Sequence, residues 1–417
     1  MKNTIKRFLA ITQFFAFFFA ISISQASAQT AGATAAIDEG PYLILISADG
    51  FRYDYTQKFQ TKNLLQLSAQ GVVAERMIPS YPSSTHPNHY SIITGLYPGH
   101  TGIMGNSFYQ KAVDQKTIVP YNKEQKYWFN SKDIFTLANE QKMITANINW
   151  PQAKTITSGL DLVLNQKGFK DPGTDGKVAV IKKWLNQPVN TRPHLITLYF
   201  GDTDHAGHSS GTESEATKQA AKDIDEAIGE IVAAVKETGL PVNFILVSDH
   251  GMINNEKTPI TNVSSAIDTL KFVVNNQNAL VNIYAKHTTT DAEITREYNK
   301  LKADEKGNYK IYLNAAFPAH LHYGGIDDKY KRAGDIIMVP EPPKSFNRKP
   351  GSGMHGFDPS LVKEMGATFI AWGPAFKKGV TIPPFENVEV YKLMTRVLGL
   401  SADKKDGKDL LGELVLK

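Results

Sequence analysis

Three short apolar runs in this chain each end on an aspartate, and that repetition constrains the fold more than any other feature. Leu43–Ser47 (LILIS) leads into Ala48-Asp49-Gly50, Leu195–Phe200 (LITLYF) into Gly201-Asp202-Thr203-Asp204, and Asn243–Ser248 (NFILVS) into Asp249-His250-Gly251. Continuous apolar runs of this length read as strands buried on both faces, the type found in parallel sheets. Open α/β sheets bind their ligands at the carboxyl ends of such strands. One aspartate there is ordinary helix-capping chemistry; three imply a shared site.

The residues between these strands carry helical signals. Asn63–Gln70 is closed by Gly71, Lys177–Leu185 follows, and Ser214–Lys236 reads as an amphipathic, solvated helix stopped by Gly239. From about Pro259 to Pro350 the pattern changes to short strands at Phe272–Val274, Ala279–Ala285, Lys310–Leu313 and Ile336–Val339, with a helix over Asp291–Leu301. Ala367–Trp372 is a returning core strand. The expected architecture is therefore α/β, a central mostly parallel sheet flanked by helices, formed by 29–258 and 351–417. An α+β insertion or cap spans 259–350 and is expected to pack beside the site.

The 417 residues contain no cysteine. Disulfides, thiolate metal sites, iron–sulfur clusters and catalytic thiols are thereby excluded, and any metal must sit on His and carboxylates. Residues 1–28 carry Lys2, Lys6 and Arg7, no acid, an apolar run from Phe8 to Ile23, and Ala26-Ser27-Ala28. That is the pattern of a cleaved secretory signal peptide, so the mature protein is expected to be exported, periplasmic or secreted, with no stable membrane anchor. Removing its three basic residues lowers the formal charge from +5 to about +2. A balanced surface without a basic stripe argues against nucleic-acid scaffold binding. The sequence sets no oligomeric state.

Two constellations carry chemistry. The first is Asp49, Asp204 with His208, Asp249 with His250, and His355 in Met354-His355-Gly356. Mixed carboxylate and imidazole donors suit Zn²⁺, and six of them suffice for two ions with positions left open for substrate. Asp202, His194 and His205 are competing donors, with His205 expected behind the ligands rather than among them. The second is Pro82-Ser83-Ser84-Thr85-His86-Pro87-Asn88-His89-Tyr90. A hydroxyl that opens a helix lies at its electropositive end, where an anion is favoured; Ser83, Ser84 and Thr85 are all candidates there.

These motifs, with Thr94–Pro98, Gly105–Tyr109, Gly373–Phe376 and the tail Pro383–Leu400, resemble in order the nucleotide pyrophosphatase/phosphodiesterase branch of the alkaline phosphatase superfamily. The resemblance implies an alkaline-phosphatase-like fold and a two-zinc hydrolase of phosphodiester or pyrophosphate bonds. Thr85 matches the family's nucleophile, which forms a covalent phospho-threonine. Asp49, Asp249 and His250 match the ligands of the zinc beside that hydroxyl, with Thr85 itself as a further ligand. Asp204, His208 and His355 match those of the second zinc, and Asn106 matches the side chain that holds a phosphate oxygen together with the Thr85 N–H. The implied partner is a small-molecule phosphodiester or nucleotide.

The family commonly stacks a nucleobase between an aromatic directly after the nucleophile and a Tyr in the following variable segment. Here the first position is His86, and Gln152–Asp171 contains no Tyr, with Phe169 the nearest aromatic. Trp150, in Asn149-Trp150-Pro151, resembles the diesterase branch. Lys154, four residues past Trp150, could neutralise a monoester dianion if it reaches inward, though it reads first as an exposed loop lysine. His86, Trp150 and Lys154 are thus the candidate substrate contacts. A phosphomonoesterase, a phosphonate hydrolase, or a non-catalytic metal or phosphate module are the alternatives. Sulfatase chemistry is disfavoured, because Thr85-His86-Pro87-Asn88 lacks the required Arg and there is no Cys.

Overall fold

The computed structural model describes residues 40–111, 117–166, 171–255, 266–346 and 352–417. The expected signal peptide and Phe169 lie outside them, as do 259–265 and 347–351 at the ends of the expected insertion. The main body comprises Pro41–Asn186 and Arg192–Lys417. Of the smaller unit, Gly40 and Gln187–Thr191 are described, and Val189–Thr191 form a 3₁₀ turn there.

The body is built on an eight-stranded sheet. Its spatial order is Val380–Ile382, Val72–Ala74, Phe369–Trp372, Val242–Val247, Tyr42–Ala48, Leu195–Phe200, Thr145–Ile148 and Val163–Asn165. Only Phe369–Trp372 runs antiparallel to its neighbours. All seven residues of Tyr42–Ala48 are buried, because alternate side chains feed cores on opposite faces. Leu43 and Leu45 join Ile245 and Val247 beneath the helices Thr85–Thr94 and Glu389–Leu398. Ile44 and Ile46 join Phe244 and Leu246 beneath Gly173–Leu185 and Glu215–Lys236. The long helix is amphipathic as expected, but it is more than a solvated element: Ile224, Ile228 and Ile231 are buried against the sheet.

The three strands that deliver aspartates are adjacent. Tyr42–Ala48 lies between Leu195–Phe200 and Val242–Val247, parallel to both, with Ala48 opposite Phe200 and Ser47 opposite Val247. Parallel neighbours are spaced about 4.8 Å apart, so their carboxyl ends place Asp49, the Asp202–Asp204 turn and Asp249 side by side.

Residues 272–340 include a four-stranded antiparallel sheet, ordered Phe272–Asn276, Val281–Ala285, Ile336–Pro340 and Tyr309–Leu313. The helix Asp291–Ala303, opened by a Thr290/Glu293 capping box, contributes Leu301 to its separate core. This sheet supports the loop before Tyr109: Ser107 Oγ bonds Asn275 Oδ1 at 3.2 Å, and the Tyr284 hydroxyl accepts from the Tyr109 N–H at 3.2 Å.

Candidate active site

Each sequence-predicted metal ligand is delivered by a chain turn at the carboxyl edge of the sheet. Asp49 ends its strand at a turn where Gly50 has φ +66°, and a Cβ on Gly50 would lie 2.9 Å from Asp204 Cα. The glycine thus lets two ligand-bearing backbones meet. Asp204 and His208 occupy one face of the helix Asp202–Ser210, one turn apart. His355 follows the short strand Gly353–Met354, which pairs with Ile253–Asn254 just beyond His250.

The six side chains converge. His250 Nε2 lies 3.0 Å from Asp249 Oδ2 and 3.5 Å from Asp49 Oδ1. These three buried atoms make no hydrogen bond among the described residues. His208 Nε2 lies 3.3 Å from Asp204 Oδ1 and 3.1 Å from His355 Nε2, which is itself 3.6 Å from Asp204 Oδ1. Three compact trios of ligand atoms result: Asp204, His208 and His355; Asp49, Asp204 and His250; and Asp49, His89 and Asp249. Asp204 therefore belongs to two of them, where the sequence placed it in one, and His89, not among the predicted ligands, belongs to the third.

All three imidazoles are held from behind in the same way. Nδ1 of His208 bonds the Gly353 carbonyl at 2.9 Å, Nδ1 of His250 the Gly251 carbonyl at 3.0 Å, and Nδ1 of His355 the Ser83 carbonyl at 2.8 Å. A carbonyl only accepts, so each Nδ1 carries the proton and each Nε2 presents a lone pair to the cluster. Burial and repulsion from Asp249 and Asp204 raise the Asp49 pKa, with burial the larger cause. Burial also opposes ionisation of Asp249, but His250 and His89 outweigh it and hold that carboxyl below its usual range. Burial pushes His355 down, assisted by His250 and His208. Asp49 Oδ1, Asp249 Oδ2 and His250 Nε2, buried without a hydrogen bond among the described residues, and the ligand-atom trios around them could hold metal ions.

Thr85 is the first residue of the helix Thr85–Thr94, whose N-cap residue is Ser84. The Ser84 side chain makes no capping hydrogen bond, Pro87 has no N–H and the Asn88 N–H bonds the Ser84 carbonyl, so the Thr85 N–H is the backbone donor this turn leaves for an anion. The Asn106 Oδ1 accepts the His86 N–H at 2.8 Å, leaving its amide hydrogens as donors beside the same turn. His89 ties Thr85 to the cluster. It bonds the Thr85 carbonyl through Nδ1 at 2.9 Å and Ser47 Oγ through Nε2 at 2.8 Å, and lies 3.5 Å from Asp249 Oδ2. With both ring nitrogens engaged, His89 serves as a brace despite its position among the carboxylates.

A cavity of about 320 Å³ opens over Thr85 and is lined by His86, Trp150, Gln152, Lys154 and Tyr199 among others. All three predicted substrate contacts therefore border it. Burial pushes the His86 pKa down to about 3, with Lys123 adding to the effect, so its ring is neutral. Lys154 is mostly exposed and pairs with Glu124 at 3.4 Å. His205 is exposed and belongs to none of the ligand groups, contrary to its expected place behind the ligands, because it sits one residue round the helix from Asp204.

Sequence reasoning passed over Tyr199 and Tyr121. The Tyr199 hydroxyl donates to Asp49 Oδ2 at 2.6 Å. The Tyr121 ring stands edge-on to His86 at 6.1 Å between centroids, well outside the segment where an aromatic partner was sought. Only the strand alternation of LITLYF, which turns Tyr199 away from its buried neighbours, hinted at the former.

Residues 43–358 match the family described as type I phosphodiesterase / nucleotide pyrophosphatase. The chain belongs to that family. It is 30% identical over 388 residues to ectonucleotide pyrophosphatase/phosphodiesterase family member 1 of Mus musculus, covering 88% of this chain and 42% of that protein. It is also 30% identical over 378 residues to bis(5'-adenosyl)-triphosphatase enpp4 of the same species, covering 88% of this chain and 79% of that protein. The chain thus spans under half of the first relative's length. The fold matches murine ectonucleotide pyrophosphatase/phosphodiesterase 5, solved as an inactive variant with AMP, at a TM-score of 0.80 and 23% identity, covering 90% of this chain and all of that one.

Proposed function

We propose that this protein hydrolyses phosphodiester or pyrophosphate bonds with two Zn²⁺ ions and a covalent phospho-threonine at Thr85. The observation that carries the reading is the convergence of three carboxylates and three Nε2 lone pairs on a cluster braced, through His89, to the helix that Thr85 opens. Asp49, Asp249 and His250 would hold one ion with the Thr85 hydroxyl, and Asp204, His208 and His355 the other. When bound, the ions supply Lewis acidity that stabilises charge on the attacking, leaving and non-bridging oxygens.

The chain's own residues do the rest. Asn106 and the open helix N-terminus orient a non-bridging phosphate oxygen. The Thr85 Oγ1–phosphorus bond forms as the bond to the alcohol or nucleoside-phosphate leaving group breaks, and the hydroxyl proton passes through solvent to the leaving oxygen. Water then cleaves the Thr85 ester, so two in-line displacements give net retention at phosphorus. Lys154 is engaged by Glu124 at the rim and Lys123 also lines the cavity, so the preference for diesters rests on the resemblance of Trp150-Pro151 to the diesterase branch. Export behind the 1–28 segment, and a 259–350 insertion that supports the Asn106 loop, complete the reading. The described residues include no helix long and apolar enough to cross a membrane.

Replacing Thr85 by Ala is expected to abolish release of p-nitrophenolate from bis(p-nitrophenyl) phosphate while zinc content stays near two per chain. Retained turnover removes Thr85 from its role. Faster hydrolysis of p-nitrophenyl phosphate than of the diester by the wild type favours the monoesterase alternative.

A further inference from the structure

The segment that carries Asn106 runs from Gly102 into the strand Tyr109–Lys111, and one side chain holds both of its ends. Arg332, on the approach to the strand Ile336–Pro340, donates through Nη1 to the Gly102 carbonyl and through Nε to Gln110 Oε1, each at 2.9 Å. A longer bond from Nη1 reaches the Trp128 carbonyl at 3.5 Å. The residue is 1% exposed, its side chain bonds only these neutral acceptors, and burial pushes its pKa down to about 10. Burying a cation in this way is costly. What a guanidinium supplies that an apolar side chain cannot is a rigid fork of donors, able to hold two points of a chain at a fixed separation. Gly102 is fitted to that contact, with φ +75° and a position where a Cβ would lie 2.6 Å from Arg332 Nη1.

Between those ends Asn106 is exposed, and its side chain makes a single hydrogen bond among the described residues, to the His86 N–H. One bond leaves a carboxamide free to swing about it, so its placement depends on the backbone to either side. Gln277 touches that backbone on both sides. It lies in the turn between Phe272–Asn276 and Val281–Ala285, against Gly105, where a Cβ would meet Gln277 Oε1 at 2.3 Å, and the same oxygen accepts the Ser107 N–H at 3.4 Å. We propose that Arg332 and Gln277 are positioning residues, which set where the Asn106 carboxamide stands relative to the helix that Thr85 opens. The proposal deepens the phosphate-orienting role of Asn106 given above and rests on it.

The test is a double-mutant cycle on hydrolysis of bis(p-nitrophenyl) phosphate by the full zinc-loaded chain. It pairs Asn106→Ala with Arg332→Lys, which keeps the charge and loses the fork. Gln277→Ala runs through the same cycle and decides the outcome where Arg332→Lys does not fold. Each positioning variant is expected to lower kcat about ten- to a hundredfold with KM moved less than about threefold, and to cost less than about twofold more once Asn106 is replaced. Zinc affinity, read by chelator competition, is expected to match the wild type. It reports whether the turn itself has moved, because a Cβ on Gly356, next to His355, would lie 2.8 Å from Ala279 Cβ in that turn. Unchanged kcat in both variants overturns the proposal, as does an undiminished loss in the Asn106→Ala background or a fall in zinc affinity that accounts for the lost rate. Calorimetry of inorganic phosphate supplies an arm that needs no turnover. Arg332→Lys and Asn106→Ala are each expected to weaken phosphate binding at least about fivefold, and the double variant no further; additive weakening overturns the proposal. Full turnover in Asn106→Ala alone removes the phosphate-orienting role of Asn106 and the proposal with it, whereas a loss there with none in Arg332→Lys or Gln277→Ala overturns the proposal and leaves that role standing.

Discussion

Replacing Tyr199 by Phe removes one hydroxyl, and the hydrogen bond it donates, from the edge of the site. The Tyr199 hydroxyl donates to Asp49 Oδ2 at 2.6 Å, while the other oxygen, Oδ1, faces His250 Nε2 at 3.5 Å. The phenol therefore fixes which Asp49 oxygen is offered to a cation. Burial and the neighbouring carboxylates raise the phenol's own pKa, so it stays a donor across the physiological range. Its ring packs edge-on to His89 at 5.5 Å, and Phe preserves that contact without leaving a cavity. A hydrogen bond to a charged group is worth about 1.5–3 kcal/mol. Since about 1.4 kcal/mol is a factor of ten in binding, zinc affinity at the Asp49 site should fall roughly 10- to 100-fold, the range typical of residues that orient a ligand. Chelator-competition titration measures the affinity, and diester hydrolysis is followed at limiting and saturating zinc. Activity should recover to within a few-fold at saturation. Unchanged affinity refutes the orienting role; collapse of kcat in a fully loaded variant makes Tyr199 a substrate contact instead.

The same geometry yields further expectations. In Gly50→Ala the new methyl meets Asp204 Cα at 2.9 Å from a left-handed backbone, so zinc affinity and thermal stability should both fall; an unaltered titration curve would show that the Asp49 and Asp204 turns can separate freely. Chelation of the wild type should lower Tm, by the loss of about 2.7 kcal/mol where zinc had stood at a hundred times its Kd, and identical melting curves would deny the clusters their ligand. His100 bonds Asp406 Oδ2 at 2.7 Å through Nδ1 and Asp327 Oδ1 at 2.8 Å through Nε2, and these partners raise its pKa against the opposing effect of burial. Its stabilisation is therefore complete below the unfolded value of about 6.5 and is lost as pH rises through the higher folded value. Tm should fall over that interval in the wild type and much less in His100→Gln, and parallel pH profiles would refute the linkage.

Much of this site was legible because its parts obey local rules. Buried parallel strands need long apolar runs, so LILIS, LITLYF and NFILVS stood out, and the polar residue ending each run had to lie at the sheet's carboxyl edge. The hydroxyl cluster Ser83-Ser84-Thr85 signalled a helix start but left the three open, and it was the family resemblance that singled out Thr85. Other features depended on contacts that no local pattern encodes. His89 sits within the quoted motif, but that its nitrogens are consumed by Ser47 and the Thr85 carbonyl follows only from the packing of helix on strand. Tyr121 reaches His86 from a different loop. Gln152 looks like any surface glutamine until its backbone is known to be left-handed.

The sharing of Asp204 between two ligand groups has the same origin and a larger consequence. Asp49 and Asp249 lie on neighbouring strands, one interstrand step apart, whereas Asp204 comes from a helix that starts after the next strand and folds back over Gly50. The topology brings three carboxylates together, Asp49 and Asp249 buried and Asp204 partly so. Burial raises the Asp49 pKa while the neighbouring imidazoles depress that of Asp249, so Asp249 keeps its charge and Asp49 resists its own. The strand order that makes the sheet therefore also gathers these acids and imidazoles beside the helix that Thr85 opens, in groups that could hold metal ions.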